Sequence, residues 1–230
     1  MKDKTLNAPN QPIKLLDNIL SYLYPITVET CNSTWNPVLE ILLSNGKYLL
    51  NSANANYSYG SLHSLFEKTF RKLKLDWTTI NNVLILGYGA GSIASIIGKY
   101  KHNCIIDGVE IDSKVTELGK KYFNTHLLKN VTIHCANASA FIVDCQKKYD
   151  LIIIDVYRDI NVPKEMEAEQ FLIDVKNTMN TGGMVIFNKF VSTKISKDQI
   201  PKLKKLYEKI FDNLKIMTFM GTGKIFVAYR

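Results

Sequence analysis

One stretch constrains the fold of this 230-residue chain more than any other: Asn82 to Asp112, NVLILGYGAGSIASIIGKYKHNCIIDGVEID. Val83 to Leu86 is a short apolar run that stops at glycine, the pattern of a parallel strand buried on both faces. Gly87, Gly89 and Gly91 alternate with Tyr88 and Ala90, and Ile93, Ile96 and Ile97 then recur at helical spacing. A second apolar run, Cys104 to Val109, ends in Glu110-Ile111-Asp112, which puts an acidic residue at the tip of the next strand. Glycines let the backbone turn sharply and come close to a ligand, the helix start offers free N–H groups, and a carboxylate at the next strand tip can accept the hydroxyls of a ribose. Together they predict a site for an adenosine-containing cofactor. The GxGxG pattern alone is a weak signal. Its place between strand and helix, with Glu110 at this distance, makes it specific.

The length suits one full α/β domain with a small appendage, and the hydrophobic (46%) and charged (22%) fractions are those of an ordinary globular protein. The net charge of +8 raises nucleic-acid binding as an alternative, but Arg71, Arg158 and Arg230 are the only arginines and the lysines are spread along the chain. A solvated surface accounts for them, so a nucleic-acid partner is not expected. Cys31, Cys104, Cys135 and Cys145 show no metal-ligand spacing, and the last three are predicted inside strands or helices. Reduced thiols, no metal and a cytoplasmic location are expected. No apolar run is long enough to span a membrane, and the polar start does not resemble a secretory signal.

In chain order, Met1 to Pro12 reads as a mobile terminus, and Ile13, Leu16, Ile19, Leu20 and Leu23 as the apolar side of a short helix ending before Pro25. Ile26–Cys31, Val38–Leu43 and Lys47–Asn51 are strand-like, with a hairpin at Ser44-Asn45-Gly46. Asn54 to Gly60 reads as a loop, and Leu62 to Leu73 as an amphipathic helix. Beyond Glu110 helices are expected at 113–122, 139–145, 167–179 and 197–211, the third stopped by Gly182-Gly183. Strands are expected at 131–135, 149–156 and 184–188. Leu214–Phe219 and Lys224–Tyr229 are joined by Gly221-Thr222-Gly223, too short for a crossover, and must form an antiparallel hairpin. The prediction is a Rossmann-like doubly wound α/β fold. Its sheet is seven-stranded and mostly parallel, with a reversed last strand, and the expected boundaries are 1–60 for the N-terminal helix and β unit and 61–230 for the Rossmann-like domain.

The ordered motifs VLILGYGAGSI, GVEID, ANASAFI, YDLIIIDVY and TGGMVIFN, with the closing hairpin, resemble the class I S-adenosylmethionine-dependent methyltransferases. They are most similar to the spermidine-synthase-like branch, and YSYGSLH matches that branch's tyrosine–histidine spacing with Tyr57 and His63. The resemblance implies that Gly87, Gly89 and Gly91 pass close to the cofactor's methionine portion, that Glu110 holds the ribose, and that Ile111 packs on the adenine. It further implies that Asn137 meets the adenine amino group through its side-chain oxygen while Ala138 leaves room for the ring. Capping the following helix is an equal and compatible role for Asn137. Asp155, ending the fourth parallel strand at the crevice, is the expected reactive carboxylate. Tyr157 is a catalytic candidate, and Tyr57, His63 and Arg158 are candidates for the acceptor pocket. A histidine satisfied by its helix neighbours is the simpler reading of His63.

The chain departs from the polyamine synthases in three places: Ala90 replaces the acidic residue of their glycine loop, Asp155 and Asp159 are spaced one residue too far apart for DxxD, and LSNGKYLLN lacks their β-domain glutamine. A diamine needs carboxylates at both ends. On that ground methyl transfer from S-adenosylmethionine to a small-molecule acceptor is the expected function. Aminopropyl transfer from decarboxylated S-adenosylmethionine is the alternative, and non-catalytic nucleoside or partner binding a further one. The family's use of its β unit for self-association implies a homodimer.

Overall fold

The computed structural model describes residues 11–191, 193–219 and 223–230. Most of the expected N-terminal segment, and Gly221 and Thr222 of the closing turn, lie outside the described residues.

The chain begins with α1 (Leu15–Leu20) and a four-stranded antiparallel sheet, β1 (Ile26–Cys31), β2 (Leu39–Ser44), β3 (Lys47–Ser52) and β4 (Asn56–Ser58), in the order β1-β2-β3-β4. Asn45 and Gly46 both have positive φ, 52° and 70°, as the two-residue turn between twisted antiparallel strands requires. Strand β4 falls where a loop was expected. Its three residues are too few and too polar to show a period, and pairing with β3 across a register shift is what makes them extended. Helix α1 is shorter than the pattern suggests and buries none of its residues, so its apolar side faces outward.

Next come α2 (Gly60–Leu73), β5 (Asn82–Leu86), α3 (Ser92–Tyr100), β6 (Ile105–Glu110), α4 (Ser113–Phe123) and β7 (Val131–Cys135). They are followed by α5 (Ala138–Asp144), β8 (Tyr149–Ile154), α6 (Glu169–Asn177), β9 (Met179–Phe190), α7 (Lys194–Ile210), β10 (Asn213–Phe219) and β11 (Gly223–Tyr229). The second sheet has the order β10-β11-β9-β8-β5-β6-β7, parallel from β9 to β7, with β11 antiparallel to both neighbours. This is the expected fold. Strand β9 starts five residues earlier than anticipated, at Met179. Its Gly182-Gly183 segment stays in the sheet through backbone bonds with Arg230, and a register shift against β8 absorbs the extra residues.

Alternation along β5 explains the layering. Leu84 and Leu86 pack toward α5, α6 and α7, whereas Val83 and Ile85 pack toward α2 and α3. A third cluster joins Leu39, Ile41, Leu43 and Leu50 of the small sheet to Val115, Leu118, Tyr122 and Phe123 of α4, so the small sheet packs on the apolar side of α4. The cysteines are free. Cys135 lies in β7 as expected, at its exposed end, whereas Cys104 is buried just before β6 and Cys145 caps α5. Among the described residues no helix is long and apolar enough to cross a membrane, and no His/Cys/Asp/Glu cluster has the form of a metal site.

Gly108 in β6 faces the ring of Tyr88, where an added Cβ would lie 2.3 Å from the ring carbon. Tyr88 is buried under the glycine turn and cannot leave without opening a void. Gly108→Ala is expected to cost about 1–3 kcal/mol of unfolding free energy in urea titration. A loss below about 0.5 kcal/mol would mean that the Tyr88 ring shifts freely.

Candidate active site

The sheet runs outward from β5 through β6 to β7 and then returns to β8 on the other side of β5, so the C-terminal ends of β5 and β8 flank the topological switch point. There the chain after β8 presses on the glycine turn. Asp155 N donates to Leu86 O at 2.8 Å, and a Cβ on Gly87 would stand 2.2 Å from the carbonyl oxygen of Asp155. Gly87, with φ at +85°, is required by that approach as well as by the turn.

A cavity of about 350 Å³ opens over these strand ends. Gly87, Gly89, Glu110, Ile111, Asn137, Ala138, Asp155, Tyr157, Arg158 and Tyr57 all line it, so most of the sequence-predicted site converges on one place. Two predicted residues do not reach the cleft wall. Gly91 is the residue preceding α3, enclosed by Thr125 and Tyr88. His63 is turned away: Nδ1 lies 2.9 Å from Ser92 Oγ, Nε2 lies 3.4 Å from Glu67 Oε1 and from Lys99, and Tyr59 stacks on its ring. Burial, with the Lys99 charge, pushes its pKa down. Its ring is thus held by neighbours on α2 and α3, as in the simpler reading of a satisfied helix histidine.

Glu110 is buried at the tip of β6. Its Oε2 accepts from Gly89 N at 2.8 Å and its Oε1 from Asp112 N at 3.0 Å. Burial outweighs these amide bonds and lifts its pKa to about 7. The Ile111 amide also favours its ionised form. Asp155 is also buried and is likewise lifted to about 7, opposed only by the hydrogen bond that Asn188 Nδ2 donates to its Oδ1 at 2.9 Å. Among the described residues the second oxygen of Asp155 has no hydrogen-bond donor.

Tyr157 contributes its ring to the wall but not its hydroxyl. That group donates to Asn188 O at 2.9 Å and accepts from Phe190 N at 2.8 Å, and burial pushes its pKa well above the ordinary range. Tyr157 therefore ties the post-β8 segment to β9 through its hydroxyl, while its ring remains on the cavity wall. Asn137 is the helix cap that the alternative reading described: its Oδ1 accepts from Ser139 N and Ala140 N. Asp150, at the far end of β8, accepts from Asn81 N, Asn82 N and Asn180 Nδ2 and is structural.

Sequence reasoning missed several lining residues, namely Trp35, Asn36, Asn54, Asp159, Glu165 and Phe190. Asp112, the cap of α4, holds the β1–β2 loop over the cleft by accepting from Asn36 Nδ2 at 2.7 Å and from Ser33 Oγ. Asp159, strained at φ +56°, accepts from Asn54 N and Nδ2 and so closes the post-β8 turn against the small sheet. No spacing rule links such distant partners. The acidic character of Asp159 was the one available signal.

Fold and cleft together define a doubly wound α/β protein with a nucleoside-type crevice at its switch point. The family model described as the spermine/spermidine synthase domain matches residues 73–222, and the chain belongs to that family. It is 36% identical over 108 residues to a probable polyamine aminopropyl transferase of Bifidobacterium longum, a match covering 47% of this chain and 24% of that one. It is 35% identical over 141 residues to a polyamine aminopropyltransferase of Prochlorococcus marinus, covering 59% and 49%. The chain thus spans half or less of the length of these curated relatives. Among solved structures it superposes on a probable spermidine synthase from Corynebacterium glutamicum with a TM-score of 0.73 at 15% identity, over 90% of this chain and 81% of that one. Human methyltransferase-like protein 13, solved with SAH, gives 0.62 at 21% identity over 74% and 82%. At these identities the structural likeness is one of fold.

These findings overturn the expectation of methyl transfer, because the curated relatives are named aminopropyltransferases. The physical error lay in counting carboxylates by motif. Ala90 does remove one, but the turn after β8 brings Asp159 to the cleft despite its spacing, and Glu165 lines it from outside any motif.

The pH dependence follows from burial. Native Asp155 holds its proton to about pH 7, whereas the ordinary carboxylate value is 3.8. Between these values the native state binds more protons than the unfolded chain, so this group's contribution to stability falls as pH rises and levels off above about 7. From pH 5 to 7.5 the wild type should therefore lose about 1–3 kcal/mol more unfolding free energy than Asp155→Asn, measured by chemical denaturation. Parallel curves for the two proteins would show that Asp155 is ionised throughout.

Proposed function

We propose that the chain catalyses aminopropyl transfer from decarboxylated S-adenosylmethionine to a small-molecule amine. The observation that carries the reading is the charge of the cleft. Glu110, Asp155, Asp159 and Glu165 line it, and Arg158 is the one cation among the described lining residues. Two of these carboxylates are buried and held near pKa 7, so each is stabilised in its charged form by an incoming cation. A donor without a carboxylate, and an amine acceptor, bring positive charge and little negative charge. The names of the relatives support the same reading.

The donor supplies a carbon activated by a positively charged sulfur. Glu110 accepts the ribose hydroxyls, and Gly87 and Gly89 allow the backbone to approach the chain that carries the sulfur. Asn188 fixes one oxygen of Asp155, and the other orients the attacking amine and receives its proton. A group near pKa 7 is suited to that exchange at neutral pH. In-line placement of amine, carbon and leaving sulfur supplies the remainder of the acceleration.

Calorimetric titration should show tighter binding of decarboxylated S-adenosylmethionine than of S-adenosylmethionine. Asp155→Asn should retain nucleoside binding while lowering the rate of thioether nucleoside release by about 10²–10⁴-fold. Preference for the carboxylate-bearing compound, or full turnover by the variant, would refute the assignment.

The exposed helix α1 supports self-association. Leu15, Leu16 and Ile19 of α1 and Leu23 just beyond it are 57–78% exposed, and Val28 of β1 is exposed as well, and apolar surface of this kind is commonly covered. A homodimer through this face should elute with twice the 26.2 kDa chain mass by light scattering, and Leu16→Lys with Leu23→Lys should shift it to the monomer. A wild type that stays monomeric at about 100 μM would refute the dimer.

A further inference from the structure

The cleft over the strand ends adjoins a second hollow of about 420 Å³. Arg158, Ile160, Pro163, Glu165 and Phe190 line both and form the wall between them. With a nucleoside in the inner cavity and the reacting amine at Asp155, the part of the acceptor that lies beyond its reacting amine meets this wall.

Unspent charges of both signs stand there. Arg158 is held by its backbone, its N donating to Asn161 O at 2.8 Å and its O accepting from Asn161 N at 3.1 Å. Its guanidinium makes no hydrogen bond or ion pair among the described residues. Glu165, in the 3-10 turn Lys164–Glu167, likewise has no donor on its carboxylate among them, and Lys164 adds an unpaired cation on the outer hollow. The other charges are taken. Asp159 accepts from Asn54 N at 3.2 Å and Asn54 Nδ2 at 2.9 Å, and buried Lys189 pairs with Glu167 at 2.5 Å.

A plain diamine matches such a wall poorly. Its far ammonium suits Glu165 but is repelled by Arg158, whose charge it leaves without a partner. An α-amino acid head brings both signs, an ammonium for Glu165 and a planar carboxylate for the guanidinium fork.

We infer that the acceptor is a diamino acid, its side-chain amine alkylated beside Asp155 while Arg158 and Glu165 hold its α-carboxylate and α-ammonium. The inference rests on the aminopropyl reading above and names the acceptor class for that site. The neutral side-chain amine attacks the aminopropyl carbon, and the N–C bond forms as the C–S bond breaks. Sulfur keeps the electron pair as a neutral thioether, and the proton of the amine passes to Asp155. Arg158 and Glu165 take no part in the bond change and set specificity.

The test compares matched acceptors. L-Ornithine is 1,4-diaminobutane with one carboxylate added, and L-lysine stands in the same relation to 1,5-diaminopentane. Release of 5′-methylthioadenosine from decarboxylated S-adenosylmethionine is followed with all four, giving kcat/KM for each. In wild type the amino acid of at least one pair should exceed its diamine by about tenfold or more. Arg158→Glu should move that ratio toward the diamine by about 100-fold and Arg158→Gln by about tenfold, with decarboxylated S-adenosylmethionine still bound within about threefold of wild type by calorimetry. A wild type that prefers the diamine in both pairs, an unchanged ratio in variants that bind the donor, or donor binding with no release from any of the four would overturn the inference and leave the donor site in place. Failure of wild type to bind decarboxylated S-adenosylmethionine would overturn both.

Discussion

Two carboxylates held out of water at the ends of parallel strands organise this molecule. Glu110 and Asp155 are both buried and both lifted to about pKa 7. They lie on either side of the glycine turn: the Glu110 carboxylate is bonded to its backbone at Gly89, and the main-chain carbonyl of Asp155 is pressed against Gly87. Buried carboxylates cost stability unless something compensates, and a few hydrogen bonds do so only in part. At neutral pH each is therefore poised between its protonated and its ionised form.

The surrounding structure is arranged to keep those groups dry and fixed. Asp112 holds the β1–β2 loop over the cleft, Asp159 joins the post-β8 turn to Asn54, and Tyr157 pins the same segment to β9 through both capacities of its hydroxyl. Each contact joins parts of the chain distant in sequence. The small sheet and the large one are further joined through α4, whose apolar side faces the small sheet. The small sheet therefore acts as one wall of the cleft.

The order of these links explains what the sequence could and could not disclose. Strands β5, β6 and β8 were legible because parallel strands buried on both faces are continuous apolar runs, and the closing hairpin was legible because its connection is too short for a helix. Strand β4 was not, since three polar residues have no period and become a strand only by pairing with β3. The same division applies to the site. Gly87, Glu110 and Asp155 could be placed because topology alone carries strand ends to the crevice. Trp35, Asn54 and Glu165 reach it on loops whose positions depend on contacts that no local pattern encodes.

Residue type misled where hydrogen-bond capacity was the deciding quantity. Tyr157 and His63 have the chemistry of catalytic groups, yet both spend it on neighbours: the phenol on the backbone of β9, the imidazole on Ser92, Glu67 and Lys99. Asp155 differs because Asn188 occupies only one of its oxygens. Asn137 likewise commits its oxygen to the start of α5. A functional group is therefore located by the capacity left after the fold has taken its share. In this cleft that remainder lies with Glu110 and Asp155, whose burial withholds it from water.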